Sequence, residues 1–354
     1  MRRIIEILPG TLNYALSYLA IISLLAIYLT IRDKRPAQKN TRRVKERTLL
    51  VVSALGGSAA MLVTMLAIRH KTLHIKYMVG IPLILLAQVL FLALAFNQSL
   101  AVSRFTVASD KINGPVKLIH IADLHACDYG DGQRELLNAI DLEAPDAILL
   151  CGDVFDDRKP SDNATDFLRG IAAKYVCYYV SGNHDTEDVY KTIAETYGIT
   201  VLEGTSCILA ARGEKIRIAG IDDPDVTRYA NAGRITTRSA PYAEQIKQLS
   251  AAANQDIFTI LLSHRPERIE ELLLLHPDLV LSGHAHGGQI QIPLILENGV
   301  WSPNQGFFPR YTNGAYSFGG TEMIVSRGLA RESTSVPRIF NRPEIVVITL
   351  KGSR

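Results

Sequence analysis

The stretch PDLVLSGHAHGGQI, residues 277–290, is an apolar, β-branched run that stops abruptly at two histidines set between glycines. Short runs of this composition, bounded by Gly and Pro, are typical of buried β-strands. The same design occurs earlier, in KLIHIADLH (117–125), DAILLCGDVFD (146–156) and KYVCYYVSGNHD (174–185). Each of these strands is predicted to end in a polar tip that contains Asp, Asn or His.

Segments with helical spacing separate the predicted strands. Two of them are GQRELLNAIDLEAPD and SDNATDFLRGIAAK, the second with Ser161 or Asp162 as N-cap. The later half repeats the alternation, with strands at 215–223, 256–266, 321–329 and 343–350 and helices at 239–253 and 267–276. Such alternation predicts an α/β fold with a mainly parallel, buried sheet. Ligands of these sheets bind at the carboxyl ends of the strands, where the polar tips fall.

Eight residues at the strand tips have side chains that suit metal binding. They are Asp123, His125, Asp153, Asn183, His184, His264, His284 and His286. Any one of them has an ordinary explanation, such as a helix cap, but eight together indicate a metal centre. Imidazole and carboxylate ligands suit Mn, Fe or Zn better than Ca or Mg. One carboxylate shared between two ions can hold them ~3.5–4 Å apart, as in phosphoryl transfer. Glycines at 152, 182, 283, 287 and 288 are expected to let the backbone approach the ions.

The motifs DLH, GDxxD, GNHD, an isolated His and GHxH, in this order, resemble the calcineurin-like metallophosphoesterases. GHAHGGQIQIP and VSRGLARESTSVPRIFNRPEIVVITL are similar to their membrane-associated bacterial branch, and the resemblance covers residues 115–352. It implies a four-layer αββα sandwich with two divalent metal ions. The ions would be Mn, Fe, Zn or Co, with Mn favoured for activity.

The resemblance also implies a role for each strand-tip residue. The first ion would be held by Asp123, His125 and His286, the second by Asn183, His264 and His284, and both by a bridging Asp153. In HAH, an extended backbone would point the two imidazoles to opposite sides, one toward each ion. His184 would protonate the leaving oxygen or stabilise the phosphoryl charge, oriented by Asp156 or another acidic neighbour. Asp153 and His184 are therefore the candidate catalytic residues.

Charge-free apolar runs fill the first hundred residues. Three runs, at 11–31, 48–68 and 77–96, are long enough to cross a bilayer as helices. They predict a membrane anchor over 1–100, joined by a polar connector near 97–116 to the domain at 115–352. RRVKERTLLVVSALGGSAAMLVTMLAIRHKT, with its R-x-x-E, GG and RHKT pattern, resembles a small bacterial membrane-protein family of unknown function, over about residues 10–96.

The charge of the chain is concentrated in one loop. Residues 32–47 carry eight Lys/Arg against Asp33 and Glu46, which gives +6, so the rest of a chain of net charge +3 sums to −3. This argues against a nucleic-acid-binding surface. The positive-inside rule keeps the loop in the cytoplasm. Three crossings would then make this a multi-pass protein of the bacterial cell membrane with a cytoplasmic catalytic domain, whereas a re-entrant span would reverse that side. Four cysteines without CxxC spacing agree with a reducing compartment.

The predicted function is hydrolysis of a phosphodiester or pyrophosphate bond by a membrane-anchored metallophosphoesterase, through attack of a metal-bridging hydroxide. A lipid or nucleotide-linked lipid precursor suits the anchor, and the aromatic loop 301–318 either receives an acyl chain or packs as ordinary core. The alternative is an anchored phosphatase or phosphodiesterase on soluble phosphoesters or phosphoproteins. A non-enzymatic scaffold is disfavoured because such scaffolds tend to lose ligands. The loops 223–245 and 291–320 carry no motif that identifies the substrate, and the sequence does not indicate the oligomeric state.

Overall fold

A computed structural model of the chain describes residues 2–34, 44–185, 187–225, 242–251, 256–331 and 336–353. The chain divides into two compact units, Met1–Phe96 and Asn97–Arg354. The first unit contains helices and no strand among its described residues, and the second contains two mixed β-sheets. Most of the predicted basic loop 32–47 and of the predicted specificity loop 223–245 lies outside the described residues.

The first unit has its own small apolar core, which includes Ala26, Leu49, Met61, Met65 and Tyr77. Its helices are α1 (Arg2–Lys34), α2 (Glu46–Val52), α3 (Ser58–Ala67), α4 (Ile75–Met78) and α5 (Gly80–Ala95). A π-helical turn, Ser53–Gly57, joins α2 to α3. Three segments are long and apolar enough to cross a membrane, namely Leu16–Lys34, Glu46–Ala67 and Ile75–Ala95, which confirms the three predicted segments by length and composition.

The second unit alternates strands and helices. Its strands are β1 (Ala101–Ala108), β2 (Val116–Ile121), β3 (Ala147–Cys151), β4 (Cys177–Val180), β5 (Thr200–Val201), β6 (Thr205–Ala211), β7 (Glu214–Ile221), β8 (Thr259–Ser263), β9 (Leu279–Ser282), β10 (Trp301–Ser302), β11 (Gly306–Phe307), β12 (Gly314–Phe318), β13 (Thr321–Val325) and β14 (Glu344–Lys351). Its helices are α6 (Arg134–Glu143), α7 (Asp162–Ala172), α8 (Glu187–Thr196), α9 (Tyr242–Ala251) and α10 (Ile269–Leu272). Ser161 is the N-cap of α7, but its side chain makes no capping hydrogen bond.

Two six-stranded sheets form the centre of this unit, in the orders β1-β14-β2-β3-β4-β5 and β12-β13-β9-β8-β7-β6. β2 to β5 are parallel in the first sheet, and β7, β8, β9 and β13 are parallel in the second. One prediction was wrong: the polar connector 97–116 contains β1, which pairs with β14 in parallel from Ala101↔Glu344 to Ala108↔Lys351. The pairing partner lies more than two hundred residues away, so no local pattern could reveal it.

Apolar side chains pack in three layers around the two sheets. Residues of both sheets, such as Leu149, Val180, Ile218 and Leu281, form the core between them. The outer face of the first sheet packs against α6, α7 and α8, and that of the second sheet packs against α9 and α10. The result is the predicted four-layer αββα sandwich.

Candidate metal centre

All the predicted ligands follow the carboxyl ends of parallel strands, in the loops after β2, β3, β4, β8 and β9. Parallel strands place these ends at one edge of a sheet, and the packed sheets bring the two edges together. Asp123, His125, Asp153, Asn183, His264, His284 and His286 are buried, and His184 is partly exposed. The structure therefore gathers all eight predicted residues at one place.

The buried residues form overlapping clusters of potential ligand atoms. Within each cluster these atoms lie within 4.8 Å of one another, and the clusters are Asp123–His125–His286, Asp153–His264–His284 and His125–Asp153–His184. Asp153 belongs to two of them. Its carboxylate is thus placed between the imidazoles of His125, with Nε2 at 3.5 Å, and His264, with Nε2 at 3.1 Å. This is the arrangement that a bridging ligand needs.

Hydrogen bonds fix which nitrogen of two histidines faces the centre. Nδ1 of His264 donates to the carbonyl oxygen of Cys151 at 2.7 Å, and Nδ1 of His125 donates to Oδ2 of Asp156 at 3.1 Å. Each bond leaves Nε2 facing Asp153, where it binds either a proton or a metal ion. Metal-binding histidines are commonly oriented in this way by a carbonyl or carboxylate on their other nitrogen. An imidazole lone pair and a carboxylate oxygen at 3.1 Å repel each other unless a cation, a proton or a metal ion, lies between them.

Three buried polar atoms in the centre have no hydrogen-bond partner among the described residues. They are Nε2 of His125, Oδ1 of Asn183 and Nδ1 of His286. Buried polar atoms without a partner are rare, because each costs about 1–3 kcal/mol. All three belong to residues whose nitrogen or oxygen atoms are good metal ligands. The residues present therefore fit a metal centre.

Five of the eight residues have a left-handed backbone, with φ between 47° and 64°: Asp123, His125, Asp153, His284 and His286. This conformation is uncommon for residues other than glycine and is found where function demands it. It also corrects the prediction for HAH, whose backbone is a tight turn and not extended. His284 and His286 still face different clusters, because two left-handed residues flank the right-handed Ala285.

Glycines leave room for this packing, most tightly at Gly182. A Cβ atom at this position would lie 2.2 Å from Oδ1 of Asp153. Gly182→Ala is therefore expected to displace Asp153 and to lower activity and metal content by about 10–100-fold. Metal analysis and turnover of the purified variant test this. Gly320→Ala is the control, because a Cβ there meets no atom within 4 Å; an equal loss in both variants would contradict the explanation.

Burial and neighbouring charges set the protonation of the centre. Burial lowers the pKa of His284 and His286 well below its usual value, helped by the charges of His264 and His125, so both are neutral, as metal ligation requires. Burial opposes ionisation of Asp153, but the charge and hydrogen bond of His264 outweigh it and hold the pKa of Asp153 well below its usual value. Burial raises the pKa of Asp123 to about 6.

His184 lies at the edge of the centre and pairs with Asp157. Its Nδ1 is 2.6 Å from Oδ1 of Asp157, and its backbone N–H donates to Oδ1 of Asp153 at 2.7 Å. Burial lowers the pKa of His184, but the hydrogen bond to Asp157 and the charge of Asp153 outweigh it and raise this pKa to about 9. The pairing with Asp157 thus favours the protonated imidazole of His184. Asp156, the neighbour first expected to orient it, binds His125 instead.

Sequence reasoning missed several supporting residues, above all Asp185. Its buried carboxylate accepts hydrogen bonds from the N–H groups of Asp153 (2.8 Å), Phe155 (3.0 Å) and Gly182 (2.8 Å) and from the Tyr179 hydroxyl (2.9 Å). It thus joins the loop that carries Asp153 to the loop that carries Asn183. Asp185 is the last residue of the GNHD motif, and its place in that motif could have marked it as a supporting residue.

A second supporting group lies beside HAH. The Asn341 side chain donates to the carbonyl oxygens of His286 (2.7 Å) and Gln289 (3.1 Å). Nδ2 of Asn304 lies 3.2 Å from Nε2 of His284. Asn304 lies in no quoted motif. Asn341 lies in the segment VSRGLARESTSVPRIFNRPEIVVITL, but that pattern does not reveal its contacts with HAH, which form only in the folded chain.

Comparison with known proteins agrees with this geometry. Residues 116–288 match a family model described as calcineurin-like phosphoesterase, and residues 23–77 match one described as a protein of unknown function (DUF1294). Both resemblances predicted from the sequence are thereby confirmed.

The relatives include the uncharacterised metallophosphoesterase YkuE of Bacillus subtilis, 31% identical over 67% of this chain and 79% of that protein. The phosphodiesterase YaeI of Escherichia coli is 29% identical over 67% of this chain and 82% of that protein. Among solved structures, the NAD nucleotidase of Haemophilus influenzae matches 61% of this chain and 46% of its own with 17% identity and a TM-score of 0.43. The chain therefore belongs to the calcineurin-like phosphoesterase family, for which two divalent metal ions are implied, and it is a phosphoester hydrolase.

Proposed function

We propose that this protein is a membrane-anchored, dinuclear phosphoesterase that hydrolyses a phosphodiester or pyrophosphate bond of a lipid-linked substrate. The position of Asp153 between two ligand clusters carries the proposal of two ions. One ion is assigned to Asp123, His125, His286 and Asp153, and the other to Asn183, His264, His284 and Asp153. The mixed nitrogen and oxygen ligands suit Mn, Fe or Zn, and Mn is the activating ion that we propose from the family resemblance. Bound ions would polarise the phosphoryl oxygens and lower the pKa of a water.

The residues of the chain supply positioning and proton transfer. Asp153 holds the two halves of the centre at a fixed separation, and Asp185 fixes the loop of Asp153 through backbone N–H groups. His184 is the proton donor to the leaving oxygen. Its Nδ1 is bound to Asp157, which orients the imidazole and favours its protonated form.

An exposed group of apolar side chains lies on the loop beside the centre. We call Ile292, Leu294, Ile295, Phe307 and Phe308 the apolar lip. Among the described residues from 97 onward, nine large apolar side chains are exposed, and these are five of them. Leu294 is 92% and Phe307 74% exposed. Exposed apolar residues this concentrated mark an interaction site more often than scattered ones do.

The apolar lip is held in place and is connected to the centre. Trp301 pairs with Phe307 across β10 and β11, and the backbone N–H of Val300 donates to the carbonyl oxygen of Ile290 at 2.9 Å. Asn304, in the turn between β10 and β11, contacts His284. The predicted aromatic loop 301–318 thus divides in two. Tyr316 and Phe318 pack with the core of the second sheet, while Phe307 and Phe308 are exposed.

This arrangement favours a lipid-linked substrate over a soluble one. Acyl chains can cover the apolar lip while the phosphoryl group reaches the metal centre, and three membrane-length segments in the same chain keep such substrates near. A soluble phosphoester would leave the lip without a partner. Hydrolysis of soluble phosphoesters is the second candidate, and the next experiment separates the two.

Replacing Phe307 and Phe308 together by Ser is expected to lower turnover of a diester presented in lipid vesicles by about 10²–10⁴-fold, since full burial of each Phe contributes about 1.5–3 kcal/mol. Turnover of a soluble chromogenic diester should stay nearly unchanged. The assay uses the full chain in detergent or nanodiscs with Mn. Leu142→Ser, which alters an exposed leucine outside the lip, is the control. Equal activity of wild type and variant on both substrates would favour the soluble alternative.

A further inference from the structure

Both ends of the apolar segment 46–67 lie near the carboxyl end of α1. Before the segment, the backbone N–H of Val44 donates to Oδ1 of Asp33 at 3.2 Å. After it, Nζ of Lys71 lies 2.8 Å from Oδ2 of Asp33. Glu46, at the start of α2, pairs with Lys76, which follows α3, with Nζ 2.6 Å from Oε2. The segment thus begins and ends in the same place.

A straight helix cannot satisfy these contacts. The 22 residues Glu46–Ala67 would extend for about 33 Å, far more than one acidic side chain can bridge. The chain instead reverses at Gly56, whose φ of +112° is accessible to glycine and strained for other residues. The next residue, Gly57, packs so close that an added Cβ would lie 2.9 Å from Cβ of Ala26.

The direction of α3 confirms the reversal. Near the break, the Tyr18 hydroxyl donates to the carbonyl oxygen of Leu55 at 2.8 Å. At the other end of α3, Lys34 donates to the carbonyl oxygen of Ile68. The earlier residue of α1, Tyr18, contacts the chain just before α3, and the later one, Lys34, contacts the chain just after it. Therefore α3 runs parallel to α1. A segment that had crossed the membrane after α1 would run antiparallel to it.

The backbone carbonyl groups at the break have hydrogen-bond partners within the protein, as an apolar environment requires. Nε2 of Gln88, in α5, donates to the carbonyl oxygens of Ser53 (3.0 Å) and Ala54 (2.8 Å), and Oγ of Ser58 donates to Oε1 of Gln88 (2.5 Å). Inside a bilayer, backbone groups released by a helix break need such partners. Gln88 lies 12 residues after Lys76, or about 18 Å along a helix, which places the break just past the middle of a ~30 Å hydrocarbon core.

We propose that residues 46–67 form a re-entrant hairpin that enters and leaves the membrane by one face, and that the phosphoesterase domain acts on the opposite side. After the hairpin, segment 75–95 crosses the membrane once, from the face that holds Lys76 to the face that holds Phe96. Among the described residues, the shared face collects seven basic residues against Asp33 and Glu46, namely Arg32, Lys34, Lys45, Arg47, Arg69, Lys71 and Lys76.

By the positive-inside rule this face is cytoplasmic, so the chain after Phe96 emerges outside the cytoplasm. This reverses the orientation that three crossings would give. The substrate class narrows to phosphoesters exposed on the outer side of the membrane, which excludes cytosolic nucleotides. The cysteines are compatible with an oxidising side, since Cys127, Cys151 and Cys177 are buried and act as small apolar residues.

Labelling of single introduced cysteines tests the sidedness. Leu73→Cys and Leu142→Cys, both at highly exposed positions, are made in the full chain with Cys207→Ser and treated in intact spheroplasts with a membrane-impermeant maleimide. The hairpin predicts at least about ten-fold stronger labelling of Leu142→Cys, with Leu73→Cys reacting only after permeabilisation. Three crossings predict the reverse pattern, and equal labelling of both positions would also overturn the proposal.

Chemical cross-linking tests the hairpin without reference to sidedness. Glu46→Cys with Lys76→Cys should be joined by a short bifunctional maleimide, because the tips of the native side chains meet and such a reagent spans the gap that the shorter cysteines leave. Glu46→Cys with Phe96→Cys should not. Three crossings place Glu46 and Phe96 at one face and Lys76 at the other, so the opposite result would refute the hairpin even if phosphoesterase activity is established.

Discussion

Asp153→Asn is expected to lower turnover by about a thousand-fold or more, to the background of the assay. The substitution keeps the shape of the side chain and removes the one carboxylate that belongs to two ligand clusters. Loss of its charge weakens both proposed metal positions at once and removes much of the electrostatic stabilisation of the transition state. Turnover of a chromogenic phosphodiester with added Mn, together with metal content per chain, measures both effects.

Asp131→Asn is the matched control for this variant. It makes the same chemical change at a side chain that is 96% exposed and belongs to none of the ligand clusters. We expect wild-type turnover and metal content from it. Near-normal turnover of Asp153→Asn would refute the assignment of the bridging ligand, whereas loss of turnover with both metals retained would limit Asp153 to a role in orientation.

His184→Ala is expected to lower turnover by about 10²–10⁴-fold for substrates with poor leaving groups. An alkoxide needs a proton as it departs, while a nitrophenolate departs without one. The loss should therefore be much smaller for a nitrophenyl ester than for an alkyl ester of the same phosphate. A ratio of losses near one would mean that His184 acts on the phosphoryl charge and not on the leaving group.

The pH profile gives an independent measure of the same group. His184 must be protonated to donate, so activity should fall as pH rises through its pKa, which Asp157 helps to raise to about 9. In Asp157→Asn this support is lost, the pKa falls toward the ordinary value, and the alkaline limb should move to lower pH by about one unit or more. Asp156→Asn should leave the limb less affected, because Asp156 binds His125.

Most strand positions and the location of the site could be predicted from local pattern. Short apolar runs that end in Asp, Asn or His indicate both a buried strand and the place where its loop meets the others. The hydrogen bonds that support the site could not be predicted in this way, because they join loops that are far apart in sequence. Asp185 reaches back 32 residues to Asp153, and Asn341 reaches 55 residues to His286.

The helical unit illustrates a different limit. Hydropathy recognises an apolar segment of sufficient length but carries no information on whether it crosses the membrane or turns back. In 46–67 the turn is marked only by Gly56 and Gly57 and by a polar residue, Gln88, in another segment. A glycine pair or one glutamine is common in apolar helices. These residues indicate a reversal only once the structure shows that Gln88 binds the backbone carbonyls at the break.

The left-handed backbone of five centre residues bears on the lifetime of the protein in the cell. An unfilled centre would leave the left-handed loops and the buried carboxylates of Asp123 and Asp153 without the ions that offset their cost, and only hydrogen bonds such as those of Asp185 would hold the loops. We expect these loops to open more often when the centre is empty, and open loops are cut by proteases in proportion to the time they spend open. Metal supply would in this way govern how many copies survive quality control as well as how fast each one works.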